Sequence, residues 1–235
     1  MRITRTLVLV LAAAAAARAD CSFTWKTNMG ADSPEIRKTY IKGHRMMTES
    51  AATITIWDLD ARTITHIDKS NRTYRVSPLN NAPRSSNSSA QMDSKETGQH
   101  KTIGGFDAHQ IVMTLTASLP GGMRSQVEGE MWYAHDVPGT DDFSAFYKRM
   151  GELGLAEGRR TGLSGLMSEM ETSMANLHAM PLMMIMHTKV TGGDAKLAEQ
   201  LNSSIGDVIT ETNGFSTSPV AESVFTVPAG FRQTE

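Results

Sequence analysis

Methionine and histidine carry most of the chemistry this chain could perform. Of its 16 methionines, eight fall between 150 and 186: Met150, Met167, Met170, Met174, Met180, Met183, Met184 and Met186. Met is unbranched and polarizable, so such a stretch can mould itself to an apolar ligand or simply fill a core. His178, Met180, Met183, Met184, Met186 and His187 also form a candidate soft-metal set, since thioether and imidazole suit Cu(I). Pro181 interrupts that set. In a strand Met184 and Met186 share one face while Met183 and His187 share the other. Spacing alone therefore does not bring the six to one ion.

Patterns for catalysis are weaker. His44, His66, His100, His109, His135, His178 and His187 form no His-x-His or His-Glu-x-x-His motif. Ser164 lies in Gly162-Leu163-Ser164-Gly165, which lacks nucleophile-elbow spacing and opens a helix with no strand before it. A trio of Ser164, His135 and Asp136 has no support from spacing. No Gly-rich loop joins a strand to a helix for phosphate binding. Trp25, Trp57 and Trp132 read as sheet packing. The expectation is a non-enzymatic protein that needs no cofactor.

The elements that must position these residues follow from periodicity. From 22 to 133 the apolar residues mostly recur at period two, as in strands. Candidates are 53–57, 63–67, 73–76, 101–103, 106–116 and 127–133, with turns at Gly43, 60–62, 68–71 and Gly104-Gly105. Strands this close in sequence pair antiparallel, because a parallel return needs a long crossover. Pro78, Pro83 and the Ser/Asn cluster at 85–89 predict a mobile loop over 77–98. The period then changes. Thr140 is a good N-cap, Asp141 and Asp142 suit a first helical turn, and Phe143, Phe146, Tyr147 and Met150 form an apolar stripe over 141–150. A second helix over 161–179 presents Leu163, Leu166, Met167, Met170, Met174 and Leu177. Strands return over 182–190, 205–215 and 220–227. The predicted fold is α+β: a curved antiparallel β-sheet, an incomplete barrel, covered by two helices.

The N-terminus predicts export. Arg2 and Arg5 precede an apolar run over 7–17, and Ala17-Arg18-Ala19 is a small-x-small cleavage signature. The run is too short for the roughly twenty residues that span a bilayer. Residues 1–19 thus read as a signal peptide and 20–235 as one domain, periplasmic or secreted, with no transmembrane span after cleavage. Without Arg2, Arg5 and Arg18 the balance is 20 basic to 25 acidic residues, which gives no electrostatic reason to seek nucleic acid. Cys21 is the only cysteine, so no intramolecular disulfide can form. A lipid anchor on Cys21 fits less well than cleavage after Ala19, because Asp20 precedes it and Arg18 takes the usual aliphatic's place.

Several segments resemble a known family. They are Tyr40-Ile41-Lys42-Gly43-His44-Arg45-Met46, Asp58-Leu59-Asp60, Ile64-Thr65-His66-Ile67-Asp68, Thr73-Tyr74, Thr102-Ile103-Gly104-Gly105-Phe106, residues 132–138, and Phe225-Thr226-Val227-Pro228-Ala229-Gly230-Phe231. Together they resemble a family of exported bacterial domains of unknown function, grouped with the periplasmic lipoprotein-carrier superfamily. That resemblance implies an incomplete antiparallel barrel whose mouth is closed by helices, with acyl chains or other apolar ligands held between. It supplies no catalytic residues to map. The expected lining is Ile111, Met113, Leu115, Phe146, Met167, Met170 and Met174. The expected partner is an apolar small molecule or acyl chain; a Met-rich copper module and a filled structural envelope domain are the alternatives.

Overall fold

The computed structural model describes residues 20–29, 33–79, 91–118, 120–155, 174–204 and 206–234. Short turns build its first half. Asp58 Oδ1 accepts the Ala61 N–H at 2.8 Å, and Asp68 Oδ1 accepts the Asn71 N–H at 2.9 Å. Each turn then ends on an arginine, Arg62 or Arg72, with φ of +52°. This local side-chain bonding reverses the chain within four residues, so neighbouring strands pair as hairpins. The result is a six-stranded meander: β1 Cys21–Met29, β2 Glu35–Lys42, β3 Arg45–Glu49, β4 Thr53–Asp58, β5 Thr63–Asp68 and β6 Thr73–Pro78.

A second meander follows: β7 Gln91–Ile103, β8 Phe106–Ser118, β9 Met123–Ala134, β10 Met180–Gly192 and β11 Val208–Ser216. Helix α1, Thr140–Glu152, lies between β9 and β10, and helix α2, Ala195–Ser204, between β10 and β11. The two meanders join where β11 pairs antiparallel with β1. A last short strand, β12 Arg232–Gln233, runs parallel to β6. The strand order is β12-β6-β5-β4-β3-β2-β1-β11-β10-β9-β8-β7, one open sheet of twelve strands.

This corrects the α+β expectation of an antiparallel incomplete barrel under two helices. Among the described residues the chain is mostly one large mixed sheet with three short α-helices, and the sheet does not close. Residues 161–173 of the second expected helix lie outside the described residues. Residues 174–177 are helical, and the chain then turns at His178 with φ of +53°. The stretch 195–204, between two expected strands, forms α2. Its Ala, Leu, Lys, Glu and Gln are good helix formers, and Asp194 Oδ1 accepts the Leu197 N–H at 3.0 Å. The stretch 220–227 is no strand: it contains a short turn of 3-10 helix, Glu222–Phe225. Gly139, with φ of +91°, caps α1 in place of Thr140, whose hydroxyl donates to the Val137 carbonyl at 2.8 Å. Residues 91–98, expected within the loop, belong to β7.

Each face of the first meander has its own core. One face packs against α1: Cys21, Phe23, Ile41, Met46 and Trp57 cluster with Phe143, Phe146, Tyr147 and Met150. Cys21 is wholly buried, and a Cβ on Gly139 would stand 2.5 Å from its Cβ, so only glycine lets α1 start there. Burial, followed by the nearby Asp142 and Asp20 carboxylates, pushes the Cys21 thiol up to about 12.

The opposite face carries Met47, Ile54, Ile56 and Ile67, covered by Val220 and Phe225 from the C-terminal segment. Ion pairs hold that cover down. Lys42 Nζ lies 3.3 Å from Asp20 Oδ2 and 3.2 Å from Glu222 Oε1, and it donates to the Val220 carbonyl at 2.7 Å. Asp20 Oδ2 accepts the Val220 N–H at 2.6 Å, and Arg45 reaches Glu222 Oε2 at 2.7 Å. The Arg45 and Lys42 side chains bonded to Glu222 hold its carboxyl below the usual range.

Candidate functional site

Strand register sets one cross-strand row on the α1 face: Phe23, Thr39, Thr48, Thr55, His66 and Arg75 pair successively across β1 to β6. The neighbouring row is Cys21, Ile41, Met46, Trp57 and Ile64. Three adjacent threonines thus stand beside the apolar row, with His66 and Arg75 continuing the polar one. Short threonine side chains leave room where the flanking Trp25, Trp57 and Tyr147 stand tall. The result is a cleft of about 260 Å³ lined by Trp25, Thr27, Arg37, Thr39, Met46, Thr48, Thr55, Trp57, His66, Tyr147 and Thr210.

Most polar groups around the cleft are engaged. Thr27 and Thr210 share a hydrogen bond of 3.1 Å, and Glu35 holds the Arg37 guanidinium with two bonds of 2.9 Å. The Tyr147 hydroxyl contacts Met46 Sδ at 3.7 Å. Thr39 differs. It is 1% exposed, and among the described residues its hydroxyl meets no hydrogen-bond partner. Leaving a buried hydroxyl unpaired costs about 1–3 kcal/mol. The cleft is thus amphipathic, with Trp25, Met46 and Trp57 beside threonines, Arg37 and His66, and it has one unmet buried hydroxyl at Thr39. Its volume is just below the roughly 300–1,000 Å³ of pockets for drug-sized ligands, so it suits a small ligand or part of a chain.

The expected lining residues lie elsewhere on the same face. Ile111, Met113 and Leu115 are buried on β8, and with Phe146 and Met174 they belong to the α1-side core. Met113 and Met186 both reach over Gly129, where a Cβ would meet them at 3.7 and 3.9 Å. Met167 and Met170 lie outside the described residues.

The residues of the copper alternative are split. Met184 and Met186 are buried on one side of β10, and Met180 is buried at its start. Met183 instead meets Lys101 Nζ at 3.8 Å. His187 is exposed, 2.6 Å from Asp207 Oδ1, and His178 Nε2 lies 2.7 Å from Asp141 Oδ1. Of the nucleophilic trio, Ser164 lies outside the described residues. His135 and Asp136 are exposed, and His135 Nδ1 sits 3.1 Å from the His178 carbonyl.

Sequence reasoning missed both the threonine row and a grouping of histidines. His100 and His109 stand opposite each other in the β7–β8 hairpin, and His109 stands opposite Tyr133 of β9. The signal was available. A two-residue turn at Gly104-Gly105 makes pairs near the turn whose numbers sum to 209 face each other, and 100 and 109 are such a pair, the last before the register shifts. The Tyr133 hydroxyl donates to Glu96 Oε1 at 3.1 Å, and burial first, then Glu96, raises its phenol above the ordinary value.

No protein-family model matches the chain, and no curated protein matches it by sequence. Solved structures align with it at low overall similarity, as two examples show. A chain of PNGF-II in the C2 space group aligns with TM-score 0.40 and 8% identity over 92% of this chain and 30% of its own. This chain therefore spans less than a third of that structure's length. A LolA superfamily protein, NE2245 from Nitrosomonas europaea, aligns with TM-score 0.26 and 7% identity over 88% of this chain and 89% of its own. It is a weak structural neighbour. Among the described residues no helix is long and apolar enough to cross a membrane.

Proposed function

We infer that this chain is an exported, non-enzymatic binding protein, periplasmic or secreted, that holds a small apolar or acyl ligand in the cleft beside α1. The observation that carries the reading is a cleft that sets Trp25, Met46 and Trp57 beside a row of threonines, with the buried Thr39 hydroxyl unmet among the described residues. A ligand with an apolar body against Trp25, Met46 and Trp57 and one polar group toward Thr39 would satisfy both. The signal-peptide pattern of residues 1–19 supports export. The burial of Cys21 supports a form without a lipid on that residue. In the cleft the approach of Thr55 Oγ1 to His66 Nδ1 is 3.5 Å, longer than the about 2.6–3.2 Å of an activated nucleophile.

Delipidated protein titrated with a fluorescent medium-chain fatty acid tests this reading. Saturable binding is expected, with quenching of tryptophan emission by the bound probe. Thr48→Phe places a ring in the cleft and should weaken binding at least tenfold. The absence of saturable binding, or an affinity unchanged in Thr48→Phe, overturns the reading.

A further inference from the structure

The tip of the β7–β8 hairpin brings together three groups that the cleft does not use. Gly104 and Gly105 both have positive φ, +59° and +91°, as the tight two-residue turn requires. The register that follows pairs Ile103 with Phe106, Thr102 with Asp107, Lys101 with Ala108, and His100 with His109. Asp107 and His109 are two residues apart on β8, so their side chains leave the same face. His100 leaves that face directly opposite His109. One imidazole nitrogen from each histidine and one carboxylate oxygen from Asp107 all lie within 4.8 Å of one another.

We propose that His100, Asp107 and His109 form a binding site for a borderline divalent transition ion such as Zn²⁺, with at least one coordination position open to solvent. A tetrahedral Zn²⁺ with bonds of about 2.0–2.1 Å sets its donors roughly 3.3 Å apart. His100 Nδ1 and Asp107 Oδ1 are already 3.6 Å apart, and the two imidazole rings are 4.1 Å apart between centroids. With all donors within 4.8 Å of one another, side-chain rotations that draw them together by at most about 1.5 Å close the set. No backbone movement is needed, because the hairpin ladder fixes the three Cα positions.

The donor chemistry narrows the ion. Two imidazoles and one carboxylate suit Zn²⁺, Ni²⁺ or Cu²⁺, and affinity among them rises toward Cu²⁺. Ca²⁺ wants six to eight oxygens and Mg²⁺ an octahedron of oxygens, which one carboxylate does not supply. The set differs from the Met180–His187 group in kind, since it contains no thioether and all its donors sit on one face.

The surroundings hold the ligands as a metal site requires. The His109 ring stacks on Tyr133 at 5.6 Å and 23°, and the Tyr133 hydroxyl is tied to Glu96 at 3.1 Å. His109 is half-buried by this packing, whereas His100 and Asp107 are 49% and 74% exposed at the side chain. One ligand is therefore braced and two face solvent, which leaves an entry path for the ion. A further imidazole stands beside them: the His135 ring is 5.7 Å from that of His109. A carbonyl can only accept, so His135 Nδ1, 3.1 Å from the His178 carbonyl, carries the proton and Nε2 carries the lone pair. β7 is also an edge strand of the sheet. An ion bridging β7 and β8 would staple this edge at its hairpin tip.

The test is calorimetric titration of the full chain, purified without an affinity tag and stripped with a chelator, against Zn²⁺. One equivalent should bind, and Ca²⁺ or Mg²⁺ at the same concentration should give no binding heat. His100→Ala and Asp107→Asn should each weaken Zn²⁺ at least tenfold. Their thermal midpoints without metal should match the parent, because both side chains are exposed. His44→Ala, on the distant β2–β3 turn, should bind as the parent does. A parent that does not bind Zn²⁺, or a loss under tenfold in either His100→Ala or Asp107→Asn, overturns the proposal.

Discussion

The two faces of the β2–β5 strands are closed in opposite ways. On one, Met47, Ile54, Ile56 and Ile67 meet Val220 and Phe225 from a segment of irregular chain, and ion pairs from Lys42 and Arg45 hold that segment down. On the other, a helix lies over a core that includes eight methionines and the aromatic rings of Phe23, Trp57, Phe143, Phe146 and Tyr147. The Thr39–Thr48–Thr55 row breaks that second face and opens the cleft. Branched aliphatics under a charge-fastened cover make a closed layer. Long flexible thioethers beside short hydroxyl residues make a layer with room in it. The same strands therefore supply a closed side and a side with a cleft, and the alternation of side chains across the pleat decides which residues serve each.

The sharpest way to break this comparison is to truncate one aromatic on each side. Phe146 is wholly buried under α1, and Phe146→Ala should destabilise the whole domain by about 3–5 kcal/mol. Phe225 anchors only the covering segment. Phe225→Ala should shift the global denaturation midpoint less and expose the C-terminal segment to hydrogen exchange and protease, because that segment can open without unfolding the sheet. Equal global losses in the two variants would mean that the covers are not energetically distinct.

The next effect belongs to the helix side and is read by pH. The folded protein holds the Cys21 proton up to about 12, whereas the ordinary value is 9.0. The stability tied to this proton is intact below pH 9 and is lost as pH rises toward 12, by about 1.4 kcal/mol per pH unit. Cys21→Ala lacks that slope. The stability difference between parent and variant, followed by urea denaturation from pH 8 to 10.5, should therefore move against the parent above pH 9. A constant difference sinks the assignment. The native thiol should also resist aromatic disulfide reagents until the protein unfolds.

How much of this contrast could be read from the sequence depends on the kind of cover. Period-two alternation in 53–57, 63–67 and 73–76 gives β4, β5 and β6, and the Phe143, Phe146, Tyr147, Met150 stripe gives α1. Both are local patterns. The C-terminal cover has no period: Val220 and Phe225 pack through a 3-10 turn and side-chain bonds, and their apolar spacing imitates a strand. Strands that bury both faces also lack the clean apolar–polar alternation from which a single covered face is inferred. Ile54 and Ile56 serve one core and Trp57 the other, although the run reads as one strand with one face in. The cleft was hidden for a related reason. Thr39, Thr48 and Thr55 are 9 and 7 positions apart along the chain, and only the pairing register makes them neighbours. The methionines, conspicuous in composition, mostly fill space.

A smaller loss tests the fastening of the sealed side. Asp20→Ala removes the acceptor of the Val220 N–H and the buried partner of Lys42, and should cost about 1–3 kcal/mol. Cleavage near 220 should accelerate in step. Acid should act in the same direction. The Glu222 carboxyl is held below its usual range by Arg45 and Lys42, so its contribution is present above that range and is lost as pH falls through it. Hydrogen exchange of the 220–225 amides should rise on acidification in the parent and change less in Glu222→Gln. An Asp20→Ala protein with native protease resistance at the C-terminus would show that apolar packing alone keeps this cover in place.

The smallest change asks most directly whether the open side is built for a ligand. Thr39→Val keeps the shape of the side chain and removes a buried hydroxyl that no other described group satisfies. If the hydroxyl serves only the fold, its removal should be neutral. If it is an unmet cost retained for binding, the variant should gain about 1 kcal/mol of stability. The same variant should bind the fatty-acid probe more weakly, while a matched Thr→Val change at Thr65, on the opposite side of β5, should leave probe affinity as it was. The two readouts must move in opposite directions, because a group that costs stability when unpaired contributes affinity only when a ligand pairs it. Gain of stability with unchanged affinity would leave Thr39 as a packing defect on the cleft side and remove the main reason for treating that cleft differently from the closed core behind it.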